Sequence, residues 1–256
     1  MVNSSVKVGS VSYLNAKPLV YGFEKGMMKD ELELSIDFPS AIASQLVDGS
    51  IDIGLVPVAV IPSLKEYHIV SDYCISCNGE VATVCLFSDV SAGEIETVLL
   101  DYQSRTSVAL LKILLKEHWG ISPELVAAGE GYEKDISGTT AGLVIGDRAF
   151  RQRLVSKYIF DLGAAWKEMT GLPFVFAAWV SNKPLDNDFI KKFDQAVQAG
   201  LNNLPEIVLQ NPYPFFDLYE YYTRYIEYRF TPEKMEALQL FLQKIGEENY
   251  HEIKIS

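Results

Sequence analysis

The first ninety residues alternate short apolar runs with stretches of helical periodicity. The runs at 6–12 and 51–60 are typical of buried strands. Between them, residues 39–49 carry apolar side chains at helical spacing, with a proline in the first turn and a glycine at the end. Strands separated by helices need crossover connections, so the pattern predicts a mostly parallel sheet with helices on its faces.

The same alternation begins again further along the chain. Residues 95–101 and 142–146 predict strands, whereas residues 104–120 and 147–154 predict helices. Two apolar runs before this second set flank the turn signal Asn78-Gly79. They either pair as a hairpin or carry the chain from one lobe to the next.

The two sets together predict an α/β protein with two α/β lobes. The first lobe comprises residues 1–88 and 179–256, and the second comprises residues 89–178. Residues 186–201 show a helical apolar stripe, and we expect the helical C-terminal tail to pack on the first lobe. Ligands of open α/β sheets bind beyond the carboxyl ends of the strands, so we expect the strand-to-helix loops of both lobes to face a shared cleft.

Composition and charge narrow the classes of function. The chain has 256 residues, 48% of them hydrophobic, and a net charge of −12. This charge argues against a nucleic acid or an anionic membrane as partner, since both would be repelled, although a pocket can still bind a small anion. No apolar run of a secretory signal or a membrane span is found, so we expect a cytoplasmic protein.

Cysteine and histidine give little support for a metal site. Cys74 and Cys77 form a C-x-x-C within a strand-like run, with no second pair to complete four ligands. We interpret both as core residues, and the sequence predicts neither a metal nor a cofactor.

Aromatic residues are concentrated at 213–230. Tyr221, Tyr225 and Tyr228 fall at helical spacing there. This spacing favours an amphipathic helix packed on a lobe over an aromatic cage for a ligand.

The loop after the first strand holds uncharged polar groups, in particular Ser12, Tyr13 and Asn15. The amide of Asn15 can donate and accept hydrogen bonds at once, which suits the orientation of a carboxylate or a hydroxyl. Ser12 and Asn15 can equally cap the helix that follows. Spacing alone leaves both interpretations open.

The start of the predicted helix at 104–120 favours an anion site. Ser104 is placed as the N-cap, and Thr106 and Ser107 lie in the first turn beside Arg105. Hydroxyls, a guanidinium and backbone N–H groups would then converge at one helix N-terminus.

A second helix start follows the strand at 142–146. Gly146 allows a ligand or backbone to approach closely at the end of that strand. Asp147 is predicted as the cap of the next helix, with ligand contact as the alternative.

With these residues in view, the chain resembles the chorismate dehydratase family of the futalosine route to menaquinone. The resemblance spans Val8 to Trp179 in chain order. The matching stretches are "SVSYLNAKPLVYG", "DGSIDIGLVPVAV", "LLDYQSRTSVALLKILL", "GLVIGDRAF" and "DLGAAWKEMTGLPFVFAAW". The resemblance implies the fold of type II periplasmic binding proteins.

Position by position, the family's S-Y-L-N loop corresponds to Ser12–Asn15 and its S-R-T-S helix start to Ser104–Ser107. One turn departs from the family pattern. Where that pattern resembles G-P-V-x-S-V, this chain has "GEVATV", with Glu80 in place of proline and Thr83 in place of serine. Thr83 keeps the hydroxyl, whereas Glu80 alters the turn.

The resemblance implies a carbon–oxygen lyase that removes water from chorismate to give 3-[(1-carboxyvinyl)oxy]benzoate. Chorismate carries two carboxylates, which the helix start at Arg105 and neutral donors such as Asn15 and Thr83 could hold. We hypothesise that Asn15 and Thr83 position the ring and assist the departing hydroxyl. No matched motif supplies a histidine or glutamate base, so we hypothesise that the substrate's own enolpyruvyl carboxylate takes the ring proton.

Two other functions fit the same pattern. One is a non-catalytic binding protein for small anions with the same fold. The other is the sister enzyme that releases 1,4-dihydroxy-6-naphthoate, over which the "SYLN" loop favours the dehydratase. The partner predicted in every case is a small molecule, and the sequence does not specify the oligomeric state.

Overall fold

The computed structural model describes the backbone of residues 5–255 and the side chains of residues 5–246. It divides the chain into two compact units. Unit one contains the chain up to Ser76 together with Phe176–Thr231, and unit two contains Cys77–Val175 together with the segment from Pro232 onward. Most of each sheet lies within one unit, and the α/β class predicted from the sequence is confirmed.

Strands and helices alternate along most of the chain. The strands are β1 (Val6–Val11), β2 (Leu32–Asp37), β3 (Ile53–Pro57), β4 (His68–Cys77), β5 (Val84–Ser88), β6 (Thr97–Leu100), β7 (Glu124–Ala127), β8 (Thr140–Ile145), β9 (Tyr158–Asp161), β10 (Phe174–Ser181) and β11 (Glu227–Arg229). The helices are α1 (Lys17–Glu24), α2 (Pro39–Asp48), α3 (Arg105–Glu117), α4 (Asp147–Gln152), α5 (Leu162–Thr170), α6 (Asn187–Leu201), α7 (Leu204–Gln210), α8 (Leu218–Glu220) and α9 (Pro232–Ile255).

Unit one is built on a sheet with the strand order β11-β4-β10-β3-β1-β2. Strand β1 runs parallel to β2 and β3, whereas β10 runs antiparallel to β3. The rings of Phe23, Trp179 and Phe193 pack against one another in its core. Because β1 lies between β3 and β2 and its second half is buried, the loop that follows it is anchored on an interior strand.

Helices α1 and α6 of unit one approach each other at two glycines. A Cβ at Gly22 would overlap the backbone carbonyl of Ala196, and a Cβ at Gly200 would overlap that of Pro18. Each helix therefore presents a glycine to the backbone of the other. Only a hydrogen at these two positions allows the observed spacing.

Unit two has the strand order β7-β6-β8-β5-β9. Strand β6 is parallel to β7 and β8, and β5 is antiparallel to β8 and β9. The carboxyl ends of β6, β8 and β9 and the amino end of β5 therefore lie at the same edge of this sheet.

The helical tail differs from the prediction in its last helix. Helix α6 packs on α1 of unit one, but α9 belongs to unit two. Phe241 of α9 is buried against Trp166 and Phe174. This aromatic cluster of unit two holds the apolar face of α9, so the expectation that the whole tail packs on the first lobe is wrong for this helix.

The segment around Asn78-Gly79 and the aromatic segment at 213–230 had uncertain or different predictions. Strands β4 and β5 lie in different sheets, so the runs around Asn78-Gly79 are not a hairpin. The predicted amphipathic helix at 213–230 is also wrong in part, since α8 continues as a single π turn at Tyr221–Tyr225 and then becomes strand β11.

No helix in the described part of the chain is long and apolar enough to cross a membrane.

Candidate functional site

The loop after β1 does not serve as a helix cap. The 3-10 turn Leu14–Ala16 has Tyr13 as its N-cap, and α1 has Ala16 as its N-cap, in both cases without a side-chain capping bond. The backbone N–H of Ser12 donates to the carbonyl of Asp37 at 3.2 Å, which ties the exposed start of the loop to the end of β2. Capping, one of the two interpretations of Ser12 and Asn15, is therefore wrong.

Asn15 carries an unsatisfied acceptor. Its side-chain Oδ1 is buried and makes no hydrogen bond with any residue that the structure describes. A buried polar atom without a partner costs about 1–3 kcal/mol. A water molecule or a ligand can satisfy such an acceptor, and ligand contact at Asn15 stays a prediction.

Two tyrosines that the sequence did not connect to this loop hold its backbone. The hydroxyl of Tyr222 donates to the carbonyl oxygen of Leu14 at 3.0 Å, and the hydroxyl of Tyr228 donates to that of Asn15 at 3.0 Å. Both tyrosine side chains are buried. The loop is therefore fixed by the aromatic segment at 213–230.

In unit two, the predicted residues come together at one edge of the sheet. The N–H of Gly146 donates to the carbonyl of Thr83 at 2.8 Å and extends the ladder between β8 and β5. Ser104 follows β6 at the same edge. The backbone of Gly146 is therefore bonded to the turn that carries Thr83, and ligand contact at Gly146 stays a prediction.

The helix start at Ser104 is confirmed as a cap. Ser104 Oγ accepts from the N–H of Ser107 at 3.2 Å, and the two hydroxyl oxygens lie 2.9 Å apart. Thr106 and Ser107 are buried, while Arg105 is exposed. The hydroxyl of Ser107 is thus used inside the cap, and the groups open to an anion are Arg105 and the first backbone turn.

The prediction that Asp147 caps α4 is wrong. The N-cap is Gly146, with φ of 62° and ψ of −151°, and it makes no side-chain capping bond. A positive φ of this kind favours glycine, so the chain turns at Gly146 and Asp147 becomes the first residue of the helix.

An ion-pair network that the sequence did not indicate supports the segment before α3. Arg148 pairs with the buried carboxylate of Asp101 and, at 2.7 Å, with Glu133. Asp101 also accepts from the N–H of Gln103 at 2.7 Å. Burial raises the pKa of Asp101, and the guanidinium of Arg148 opposes that rise. Arg148 is thus engaged by two carboxylates and fixes the turn that leads to Ser104.

A second carboxylate holds the turn before β5. Asp161 caps α5 by accepting from the N–H groups of Gly163 at 2.9 Å and Ala164 at 3.1 Å. The same carboxylate accepts from Val81 at 3.1 Å and Ala82 at 2.8 Å. Burial raises the pKa of Asp161, while these backbone donors lower it. One side chain therefore links the start of α5 to the turn that carries Thr83.

The turn itself is strained at one residue. Ala82 has a φ of 65°, which a residue with a Cβ rarely adopts. The carboxylate of Asp161 binds its N–H, and Arg153 Nη1 donates to its carbonyl at 3.3 Å. Thr83 is buried directly after it, and its Oγ1 lies 3.4 Å from the carbonyl of Val81. Glu80 is exposed at the beginning of this turn.

No group of three or more histidine, cysteine, aspartate or glutamate side chains with the arrangement of a metal site occurs among the residues that the structure describes. Cys74, Cys77 and Cys85 are buried cysteines.

Solved structures define the class of fold. An Archaeoglobus fulgidus protein from a structural genomics programme aligns with a TM-score of 0.75 at 14% identity, covering 96% of this chain and 98% of its own. The periplasmic aliphatic sulphonate binding protein of Escherichia coli aligns with a TM-score of 0.64 at 14% identity, covering 98% and 93%. A Candida albicans protein described as having the generic periplasmic binding protein fold aligns with a TM-score of 0.62 at 12% identity, covering 95% and 90%. The chain has a periplasmic-binding-protein-like fold.

Within that class, the chain belongs to the menaquinone biosynthesis family, whose model matches residues 6–247. A chorismate dehydratase of Thermus thermophilus is 29% identical over 189 residues, which cover 66% of this chain and 69% of the relative. A chorismate dehydratase of Campylobacter jejuni is 26% identical over 248 residues, covering 92% and 95%. The family resemblance noted in the sequence is confirmed.

Proposed function

We propose that this protein is a chorismate dehydratase, a hydro-lyase that converts chorismate to 3-[(1-carboxyvinyl)oxy]benzoate and water. The observation that carries the proposal is the buried, unpaired Oδ1 of Asn15, which lies in the loop that corresponds to the family's S-Y-L-N segment. The family match over residues 6–247 and the names of the two relatives support the same activity.

The reaction needs little chemistry from the protein. Loss of the ring hydroxyl and of a ring proton makes the ring aromatic, so the substrate itself supplies much of the driving force. Orientation and electrostatic stabilisation are then the main tasks of the enzyme. The uncharged donors and acceptors of this chain suit that task better than they suit general-base catalysis.

In this mechanism the enolpyruvyl carboxylate of chorismate accepts the ring proton. The C–H electron pair completes the aromatic ring as the C–O bond breaks. The leaving hydroxyl takes up the proton that the carboxylate accepted, which forms water and regenerates the carboxylate. We assign to Asn15 the orientation of the ring and hydrogen bonding to the leaving hydroxyl. Ser12 and Tyr13 belong to the same loop and are assigned to substrate contact.

The groups of unit two are assigned to binding. Arg105 and the backbone turn after Ser104 would hold a carboxylate, because a helix N-terminus and an exposed guanidinium both favour an anion. Thr83 is assigned to the leaving hydroxyl, and the backbone at Gly146 is assigned to the edge of the pocket. The turn held by Asp161 and the network at Arg148 would keep these groups in place.

Incubation of the purified protein with chorismate tests the activity directly. Chromatography and mass spectrometry should show the aromatic product, which is lighter than chorismate by the mass of one water molecule. The matched control is Asn15→Ala, which should form product at least about 100-fold more slowly. Chorismate that binds but is recovered unchanged would support the alternative function, a small-anion binding protein of the same fold.

A substrate analogue tests the source of the base. An analogue without the enolpyruvyl carboxylate should bind but should not be dehydrated, because the group that accepts the proton is missing. Turnover of that analogue at the rate of chorismate would show that a protein side chain is the base. Substitution of Thr83 by valine, which keeps the shape of the side chain, would show whether this hydroxyl contributes.

A further inference from the structure

We propose that Tyr222 and Tyr228 are positioning residues that set the place of Asn15 by holding the backbone of its loop. This inference rests on the proposed function, because it assigns the two tyrosines to the chemistry that Asn15 performs. They do not themselves need to touch the substrate. Their hydroxyls reach two successive carbonyl oxygens, those of Leu14 and Asn15, at 3.0 Å each.

The loop depends on its backbone for its position. The side-chain Oδ1 of Asn15 has no hydrogen-bond partner among the described residues, so that oxygen does not fix the side chain to the protein. The carbonyl of Asn15 is instead bound by Tyr228, and the N–H of Ala16 donates to the carbonyl of Tyr13 at 3.0 Å. The Oδ1 acceptor of Asn15 therefore belongs to a residue whose backbone is held by hydrogen bonds at its own carbonyl and at the N–H of the next residue, Ala16.

The change of secondary structure in the aromatic segment brings the two hydroxyls together. Residues six apart on a regular α-helix point in directions about 120° apart, since each residue turns by ~100°. Tyr222 and Tyr228 could therefore not reach neighbouring carbonyls from one helix. Tyr222 lies instead in the π turn, a form often found at functional sites, and Tyr228 lies in β11.

Both donor tyrosines are buried. The side chains of Tyr222 and Tyr228 are 2% and 6% exposed. Burial, together with the neighbouring Tyr222 and Tyr221, raises the pKa of Tyr228 well above its usual value. The Tyr228 hydroxyl therefore keeps its proton and continues to donate to Asn15 throughout the pH range in which an enzyme would be assayed.

Hydroxyl-deletion variants separate positioning from packing. Tyr222→Phe and Tyr228→Phe each remove a single oxygen and leave the ring in place. Tyr73→Phe is the matched control, because Tyr73 is 5% exposed in the same unit and its hydroxyl bonds to Gln198 and Arg229 rather than to the loop. All three variants should remain folded by circular dichroism.

Steady-state kinetics with chorismate is the first readout. We expect kcat to fall about 10-fold in Tyr228→Phe with KM within about twofold, because a misplaced Asn15 would affect the transition state more than substrate binding. Tyr73→Phe should keep kcat within about twofold of the parent protein. Equal kcat values for Tyr228→Phe and Tyr73→Phe would overturn the inference.

Amide hydrogen exchange is the second readout, and it does not depend on activity. Exchange of the N–H of Ala16 should become about 10-fold faster in Tyr222→Phe and Tyr228→Phe but not in Tyr73→Phe. Unchanged exchange in both loop variants would overturn the inference even if kcat falls. If the parent protein does not dehydrate chorismate, the proposed function fails, and exchange still decides whether the tyrosines hold the loop.

Discussion

Asp161 offers a direct test of the link between the start of α5 and the turn that carries Thr83. Substitution by asparagine keeps the size of the side chain and one oxygen. That oxygen can still cap α5 through Gly163 and Ala164, but the new amide N–H₂ then faces the N–H of Ala82, where the carboxylate oxygen lies at 2.8 Å. A donor would therefore face a donor.

The size of the effect follows from the bonds that are lost. Asparagine and aspartate are about equally good N-caps, so the cap itself should cost little. Loss of a hydrogen bond to a charged group costs about 1.5–3 kcal/mol. Removal of a carboxylate whose pKa burial has raised returns part of that cost. We expect a net loss of about 2 kcal/mol in the free energy of unfolding.

Urea denaturation at neutral pH measures this loss, with Asp186→Asn as the matched control. Asp186 caps α6 by accepting from the N–H groups of Asp188 at 2.8 Å and Phe189 at 3.4 Å. The control should lose less than about 0.5 kcal/mol. If Asp161→Asn is no less stable than Asp186→Asn, the carboxylate does not hold the turn at Ala82.

Three further predictions follow from the same geometry. Asn15→Ala should mainly lower kcat for chorismate and Arg105→Ala should mainly raise KM, and equal changes of both constants in both variants would contradict the division between chemistry and binding. Arg148→Met should lower the free energy of unfolding by about 3–5 kcal/mol, because it leaves the buried carboxylate of Asp101 without its cation. Addition of Asp101→Asn should restore part of that loss in urea denaturation, and a double variant no more stable than the single one would refute the explanation. Above pH ~10 an unfolded tyrosine ionises while Tyr228, whose pKa burial raises, stays protonated in the folded protein, so stability should fall by up to about 1.4 kcal/mol per pH unit for this group. Tyr228→Phe should make that alkaline decline less steep by this amount, and identical slopes would show that the group is not responsible.

The parts of the fold that local chemistry determines could be predicted from the sequence. Helix α2 begins at Pro39 and is followed by Gly49 with a φ of 81°, as the sequence signals indicate. The cap at Ser104 needs only the N–H of Ser107, three residues away. In both cases the interacting groups lie within a few residues, so residue type and spacing were sufficient.

Groups that act across long stretches of chain could not be predicted in this way. The partners of Tyr222 and Tyr228 lie more than two hundred residues earlier, and helical spacing suggested one continuous helix instead. Asp161 lies directly before a helix, a position where a cap could have been recognised, but its bonds to Val81 and Ala82 could not. At Asp147 the cap signal was misleading, because the positive φ of Gly146 moves the helix start by one residue.

The reciprocal glycine contact between α1 and α6 also restricts how this sequence can change over time. Gly22 and Gly200 are far apart in the sequence, yet each faces the backbone of the other helix. Neither can acquire a side chain unless that backbone moves away. Such a movement would shift α1, whose first turn continues directly from the Asn15 loop. In a set of related sequences, the two positions should therefore vary together or not at all, and a lineage that replaces one of them should show compensating changes along both helices.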